Sequence, residues 1–253
     1  MKIDLHVHAK ERSACSIASE KEHIESAIRF GLDGLVFTDH NKISSEEHIA
    51  DLNKKYSPFR IYSGIEITIK DKGEDILVIG INDSILEEKN WSYEELYTYV
   101  KKNSGFIALA HPYRYKDHVN VDIENYIPDA IEIHSTNIGK DDEQNIKKLA
   151  KKLKTRLINN SDGHDSRHVG IYYNELNYTP KDNAELVEIL KTGKYKYSSS
   201  IYRIKMFNEE VRKKEEIIRK LIKEGKDREF YRKLTGNWEG EFDRVAMGKS
   251  YEI

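Results

Sequence analysis

The chain has 253 residues, in which 42 Lys and Arg nearly balance 44 Asp and Glu for a net charge of −2, which gives no bulk attraction for nucleic acid. No apolar run approaches the roughly 18 residues of a membrane span. Its one cysteine, Cys15, excludes an intramolecular disulfide framework, and an opening decapeptide with Lys2, Asp4, His6 and His8 is no signal peptide, so a cytoplasmic protein is expected.

The first element is "KIDLHVH", a strand in which alternation puts His6 and His8 on one face and Ile3, Leu5 and Val7 on the other. "SEKEHIESAIRFG" follows, with Ile24, Ala27 and Ile28 at helical spacing and Gly31 as a stop. Further strands are expected at "DGLVFTDH", "FRIYSGIEITI", "DILVIGI", "GFIALAHP", "DAIEIHS", "RLINNSDGH" and "VGIYYNEL", with helices at "SYEELYTYVKKNS" and "GKDDEQNIKKLAKKLK" between them. Repeated strand and helix alternation predicts a mostly parallel sheet, closed or nearly closed into a barrel. Residues 201 to 253 differ: "NEEVRKKEEIIRKLIKEG" reads as an amphipathic helix with Phe207, Val211, Ile218, Leu221 and Ile222 on one stripe and Gly225 as its stop. This stretch holds 14 Lys and Arg against 11 Asp and Glu, a solvated helix face rather than a nucleic-acid patch. Its apolar stripe packs on the barrel or on a second subunit, with Trp238 and Phe242 anchoring the tail.

The polar residues of these strands fall at one end. His6, His8, Asp39, His40, Glu66, His111, His134, Asp162 and His164 each lie at or just past the C-terminal end of an expected strand, where an α/β barrel carries its active site. Burying so many titratable groups together is unfavourable by several kcal/mol unless something compensates their polarity. Metal ions would do so, and imidazole mixed with carboxylate suits zinc, manganese or iron. The donors outnumber the needs of one ion, so two or three divalent transition metal ions are expected, with Glu66, central in the order, as the bridge. Clustered ions of this kind lower the pKa of a bound water and serve phosphate ester hydrolysis, which makes a metal-bound hydroxide the expected nucleophile.

"DLHVH", "GLDGLVFTDHN", "GIEI", "AHPYR", "IEIH" and "SDGHDSRHVG" occur in an order that resembles the PHP (polymerase and histidinol phosphatase) family. The resemblance covers residues 1 to 200 and implies an α/β fold, a distorted seven-stranded (β/α)7 TIM-like barrel, followed by a C-terminal helical extension over residues 201 to 253. It implies a trinuclear site: His6 and His8 with Glu66 and Asp162 on one ion, Glu66 bridging to a second held by His111 and His134, and His40 with His164 on a third. Many members of the family add an Asp or His soon after the paired histidines, whereas this chain reads "HVHAKERSACS". Cys15, Glu11 or water is left to take that place, and the ordinary reading of Cys15 is a small thiol in a loop. The resemblance also places Arg114 and Arg167 near the substrate phosphate, which a guanidinium fork matches. Lys10 and Arg12 of the first loop are further candidates. His168 is a candidate proton donor to the leaving group, and Asp39 a candidate for fixing the tautomer of a ligand histidine. His23, His48 and His118 read as surface residues.

The expected substrate is a small phosphorylated metabolite, a nucleotide or a nucleic-acid end, with no membrane partner and with homo-oligomerisation through the C-terminal helix left open. Two other classes compete. An amidohydrolase also opens on two histidines in a barrel strand and cleaves C–N or carboxylic ester bonds, but its usual bridge is a carboxylated lysine where this chain offers Glu66. A non-catalytic domain would have lost ligands that this chain retains.

Overall fold

The computed structural model describes residues 1–70 and 72–253. In chain order the elements are β1 (Lys2–Val7), α1 (Glu20–Arg29), β2 (Gly34–Phe37), α2 (Glu46–Tyr56), β3 (Arg60–Ile69), β4 (Glu74–Ile79), α3 (Ile85–Glu88), α4 (Tyr93–Lys102), β5 (Phe106–Leu109), β6 (Ala130–His134), α5 (Glu143–Leu153), β7 (Arg156–Asn159), β8 (Tyr172–Leu176), α6 (Asn183–Thr192), β9 (Tyr195–Ser199), α7 (Ile201–Lys223), α8 (Arg228–Thr235) and α9 (Glu239–Ala246). Local chemistry sets several helix starts. Ser19 with Glu22 and Ser92 with Glu95 form capping boxes at α1 and α4, each satisfying backbone N–H groups that a first turn leaves free.

One sheet takes the order β7-β6-β5-β4-β3-β2-β1-β8-β9. It is α/β as expected, but it is not a seven-stranded (β/α)7 alternation. β3 and β4 form an antiparallel hairpin, β5 is antiparallel to β4, and β8 is antiparallel to both β1 and β9. The edge strands β7 and β9 are joined by side chains instead of a ladder. Asn159 donates through Nδ2 to the Ser198 carbonyl at 3.1 Å and the Tyr195 hydroxyl reaches the Leu157 carbonyl at 3.2 Å, while Asn174 of β8 donates through Nδ2 to the Asn159 carbonyl at 2.5 Å. These contacts bring the sheet close to a closed barrel.

Alternation sorts the strand residues between two environments. Leu77, Ile79, Phe106, Ala108 and Ala130 pack with one another on the inward side, while their neighbours Ile76, Val78, Ile107, Leu109 and Ile131 pack beneath α4 and α5. β1 breaks this rule. A bulge lies between Asp4 and Val7, so Ile3 and Leu5 join the inward cluster while Val7 packs on Ile24 and Ala27 of α1. The apolar residues of β1 therefore do not form one stripe.

The C-terminal helices lie on β8 and the loop before it. Phe207, Val211, Ile218 and Leu221 of α7 are buried with Ile171, Tyr172, Tyr231, Phe242 and Val245, whereas Ile222 is 38% and Trp238 46% exposed. Arg203 fixes α7 by donating to the carbonyls of Val169 (2.6 Å) and Arg167 (2.5 Å). Among the described residues, no helix is long and apolar enough to cross a membrane.

Candidate metal centre

At the end of the barrel where β1, β2, β3 and β5 finish, five histidines surround two carboxylates. The Nε2 atoms of His6 and His8 lie 2.9 Å apart. Glu66 turns Oε1 to Nε2 of His6 (3.2 Å) and of His111 (3.0 Å), and Oε2 to Nε2 of His8 (3.2 Å) and Nδ1 of His40 (3.0 Å). Asp162 sets Oδ1 3.4 Å from His6 Nε2 and 3.2 Å from His8 Nε2. The donor atoms form four groups compact enough to hold an ion: His6, His8 and Glu66; His6, His111 and Asp162; His8, His40 and His164; and His40, Glu66 and Asp75.

Surrounding residues hold these donors in place. Glu132 of β6 accepts from His6 Nδ1 at 3.1 Å, from Asn160 Nδ2 at 2.8 Å and from the His111 backbone N–H at 2.9 Å, so the His6 lone pair on Nε2 faces the cluster. Asn137 donates to Asp162 Oδ2 at 2.5 Å. Asp39 does not touch a ligand ring. It accepts from the Ala9 N–H and from Ser13 Oγ, both at 2.7 Å, and Ser13 Oγ in turn accepts from the His40 N–H at 3.1 Å and lies 3.4 Å from His8 Nδ1. Two donor residues sit on left-handed backbone, His111 at φ 22° and Asp162 at φ 50°, a conformation unfavourable for non-glycine residues that concentrates at functional sites.

The electrostatics of the cluster are those of a site short of positive charge. Burial alone pushes His6 down, but Asp162, Glu66 and Glu132 outweigh it and hold its pKa well above 6.5. Burial likewise opposes the rise at His40, where Glu66 and the Cys15 side chain bring the pKa up to about 11. Glu66 and Asp162 go well below the ordinary range, because His6 and His40 for the one, and His6 and His164 for the other, overcome desolvation. Even so, among the described residues no hydrogen bond of sound geometry reaches the buried Glu66 Oε2 or Asp162 Oδ1, although imidazole nitrogens stand 3.0 to 3.4 Å away. Buried oxygens of this kind normally have donors. Nitrogen and oxygen donors converging on orphaned carboxylate oxygens fit zinc, manganese or iron.

No family model matches the sequence, and no curated protein does. In structure the chain is similar to a two-domain protein from Bacteroides vulgatus containing a predicted PHP-like metal-dependent phosphoesterase (TM-score 0.59, 14% identity, 79% of this chain and 64% of that one). The chain has a PHP-like fold. The same fold relates it to a protein from Bifidobacterium adolescentis assigned as a metal-dependent phosphoesterase (TM-score 0.55, 13% identity, 74% of this chain and 95% of that one). It is also similar to an amidohydrolase from Chromobacterium violaceum solved with sulfate and no metal (TM-score 0.54, 15% identity, 66% of this chain and 89% of that one).

Within the PHP-like barrel several expected residues stand apart from the cluster. His134 belongs to none of the four groups. A bulge between Glu132 and His134 turns its ring onto Tyr172, with Nδ1 3.0 Å from Asn159 Oδ1 and Nε2 3.5 Å from Glu143. Arg167 is exposed and its fork is taken by Asp165 at 2.6 Å and Glu210 at 3.3 Å. Arg12 is held between Asp39, at 2.7 Å, and Glu20, and Lys10 points to Glu22 at 3.8 Å. Glu11 accepts from the Glu20 N–H at the start of α1 at 3.1 Å. Cys15 is exposed, with its thiol beside His40. His168 packs edge-on against Phe207 of α7. Asp75 and Glu132 were not among the expected residues.

His48 and His118 are exposed, but His23 is fully buried, a correction to its surface reading. Burial lowers His23 and His168 from 6.5 to about 4. Between those values the unfolded chain takes up protons that the folded chain refuses. The stability these groups contribute is therefore full above pH 6.5 and is lost as pH falls toward 4, by about 2 kcal/mol per histidine at pH 5. Replacing both with Gln is expected to flatten the fall in urea midpoint between pH 7.5 and pH 5, and a slope equal to that of the unmutated chain would refute this account.

Proposed function

We propose that the chain hydrolyses a phosphate ester at a site holding two or three divalent transition metal ions. The observation that carries this reading is the pair Glu66 and Asp162, two buried carboxylates with orphaned oxygens, ringed by imidazole nitrogens. His6, His8, His111, Glu66 and Asp162 would hold the central ions, with His40, His164 and Asp75 at the flank. His134 has the weaker support, since its ring faces Asn159 and Glu143. Divalent ions in such a site supply Lewis acidity to a phosphoryl oxygen and acidify a water.

The residues of the chain supply the rest. Glu66 presents one oxygen to each of two histidine pairs, the arrangement a bridging ligand needs. Glu132 keeps the proton of His6 on Nδ1, and His164 donates through Nδ1 to the Asp162 carbonyl at 3.0 Å, leaving its Nε2 as an acceptor. Burial followed by the charge of His8 lowers His164 to about 3, so that nitrogen stays unprotonated at neutral pH. The phosphoesterase neighbours favour phosphate esters, small phosphorylated metabolites or nucleotides among them. The amidohydrolase neighbour supports a second reading, C–N bond hydrolysis at the same cluster.

The test is elemental analysis of chain purified without chelator, followed by a manganese-supplemented panel of phosphomonoesters, nucleotides, nucleic-acid ends and amides. At least two ions per chain and turnover of a phosphate ester are expected. A metal-free chain that is fully active, or a preference for amides over every phosphate ester, would overturn the proposal.

A further inference from the structure

Most arginines of the C-terminal helices have a carboxylate against them: Arg212, Arg219, Arg228 and Arg232 each form an ion pair. Arg244 of α9 does not, although it is among the largest fully buried side chains and only 2% exposed. Its Nη1 makes a 3.3 Å bond to the Asn137 carbonyl, and its Nε and Nη2 are buried without any partner among the described residues. The backbone opposite is glycine, and a Cβ on Gly139 would stand 3.1 Å from Nη2. Arg114, three residues after His111, repeats the pattern from the barrel side. Its Nε is buried and has no partner among the described residues, and its guanidinium lies 4.4 Å from the ring of Trp238 and 5.1 Å from that of Tyr115.

Trp238, which Arg114 faces at 4.4 Å, caps α9, the helix that carries Arg244, so both guanidinium groups lie where α9 meets the metal-centre end of the barrel. After burial, the charge of Arg114 is the main influence lowering Arg244 to about 10, and Tyr115 is acted on by Arg114, Arg244 and Asp162 alike. Asn137 links the two regions directly, since its carbonyl accepts from Arg244 while its amide donates to Asp162. Asp142 offsets part of the Arg244 charge without reaching it in an ion pair. A buried guanidinium and a half-buried one, each with buried N–H groups that lack acceptors, are unfavourable together unless an anion joins them, and a phosphate offers oxygens to both forks.

We propose that Arg244 of α9 joins Arg114, the arginine that the family resemblance already sets at the substrate phosphate, in an anion pocket beside the metal centre, so that the C-terminal helices complete the site. The identity of the anion's carrier rests on the phosphoesterase reading; the pocket does not. Trp238, the N-cap of α9, closes the pocket over Arg114 and reports on it.

Inorganic phosphate titrated into the chelator-treated full chain tests this without metal ions or turnover. Saturable change in tryptophan fluorescence and a rise in melting temperature are expected, with neither produced by chloride at equal ionic strength. Arg114→Gln and Arg244→Met should each weaken phosphate binding about tenfold or more, whereas Arg219→Gln, whose guanidinium is paired with Glu215 on α7, should bind as the unmutated chain does. Arg244→Met should melt no lower than the unmutated chain in phosphate-free buffer, because it removes an unpaired buried charge. Should that variant fail to fold, Arg244→Lys keeps the charge without the fork and is expected to bind with intermediate affinity. Absence of phosphate binding by the folded unmutated chain, or unmutated affinity in Arg244→Met or Arg244→Lys, would overturn the pocket. Phosphate binding through both arginines in a chain that cleaves no phosphate ester would keep the pocket and remove the hydrolase reading.

Discussion

Glu66→Gln is expected to empty the metal centre and to lower kcat/KM for a phosphate ester by roughly a thousandfold, which at about 1.4 kcal/mol per factor of ten is a loss of several kcal/mol. The substitution keeps the shape of the side chain, so packing inside the barrel changes little. Its chemistry changes on both sides. Glu66 has Oε1 within 3.2 Å of His6 and His111 and Oε2 within 3.2 Å of His8 and His40, and Gln must turn an NH2 toward one of those pairs. That side loses its acceptor, and the cluster loses one of its two central negative charges. Because each oxygen serves a different histidine pair, two ions should weaken together rather than one. Elemental analysis and kinetics on the same preparation check this. A variant that retains both ions and near-normal turnover would refute the bridging role.

The donors near strand ends were legible because polar residues interrupt or follow the apolar runs of β1, β2, β3 and β5, and a barrel places parallel strand ends together. Asp75 escaped the same rule for a geometric reason. β4 runs antiparallel to β3 and β5, with Thr68 opposite Asp75 and Leu109 opposite Ile76, so its beginning, not its end, lies at the site. Glu132 sits between Ile131 and Ile133, which pack under the helices, and in sequence it looks like the solvated face of a strand. The site signal was there in alternation, since inward residues of neighbouring strands are apolar and a buried carboxylate among them needs a donor. His134 shows the converse. Its position at a strand end is as expected, and only a bulge, which local sequence does not announce, turns it aside. β9, "YKYSS", lacks an apolar run and has its backbone ladder with β8 alone, which is why it was not among the eight strands read from the sequence. The amphipathic pattern read after residue 207 falls on α7, but a buried Arg244 cannot be told from a surface arginine until the chain is folded.

Glu132→Gln is expected to weaken metal binding about ten- to a hundredfold while leaving every donor atom of the cluster in the chain. The carboxylate of Glu132 is fully buried and receives three donors: His6 Nδ1, Asn160 Nδ2 and the His111 N–H. An amide cannot satisfy all three, because one of its two positions is itself a donor. If Gln turns its NH2 to Oε1's place, it donates to His6 Nδ1, drives the proton to Nε2 and removes the lone pair that faces Glu66 and Asp162. If it turns the other way, it opposes the backbone N–H of His111, at a residue already on left-handed backbone with φ 22°. Either orientation disturbs a donor without replacing one, and leaves a buried group unsatisfied that lowers stability by about 1–3 kcal/mol. Melting temperature alone would not separate positioning from plain destabilisation. The separating measurements are metal affinity by chelator competition and the absorption spectrum of the cobalt-loaded chain, which reports ligand geometry and is expected to shift. A cobalt spectrum and chelator competition identical to those of the unmutated chain, with only the melting temperature lowered, would make Glu132 a structural residue and nothing more.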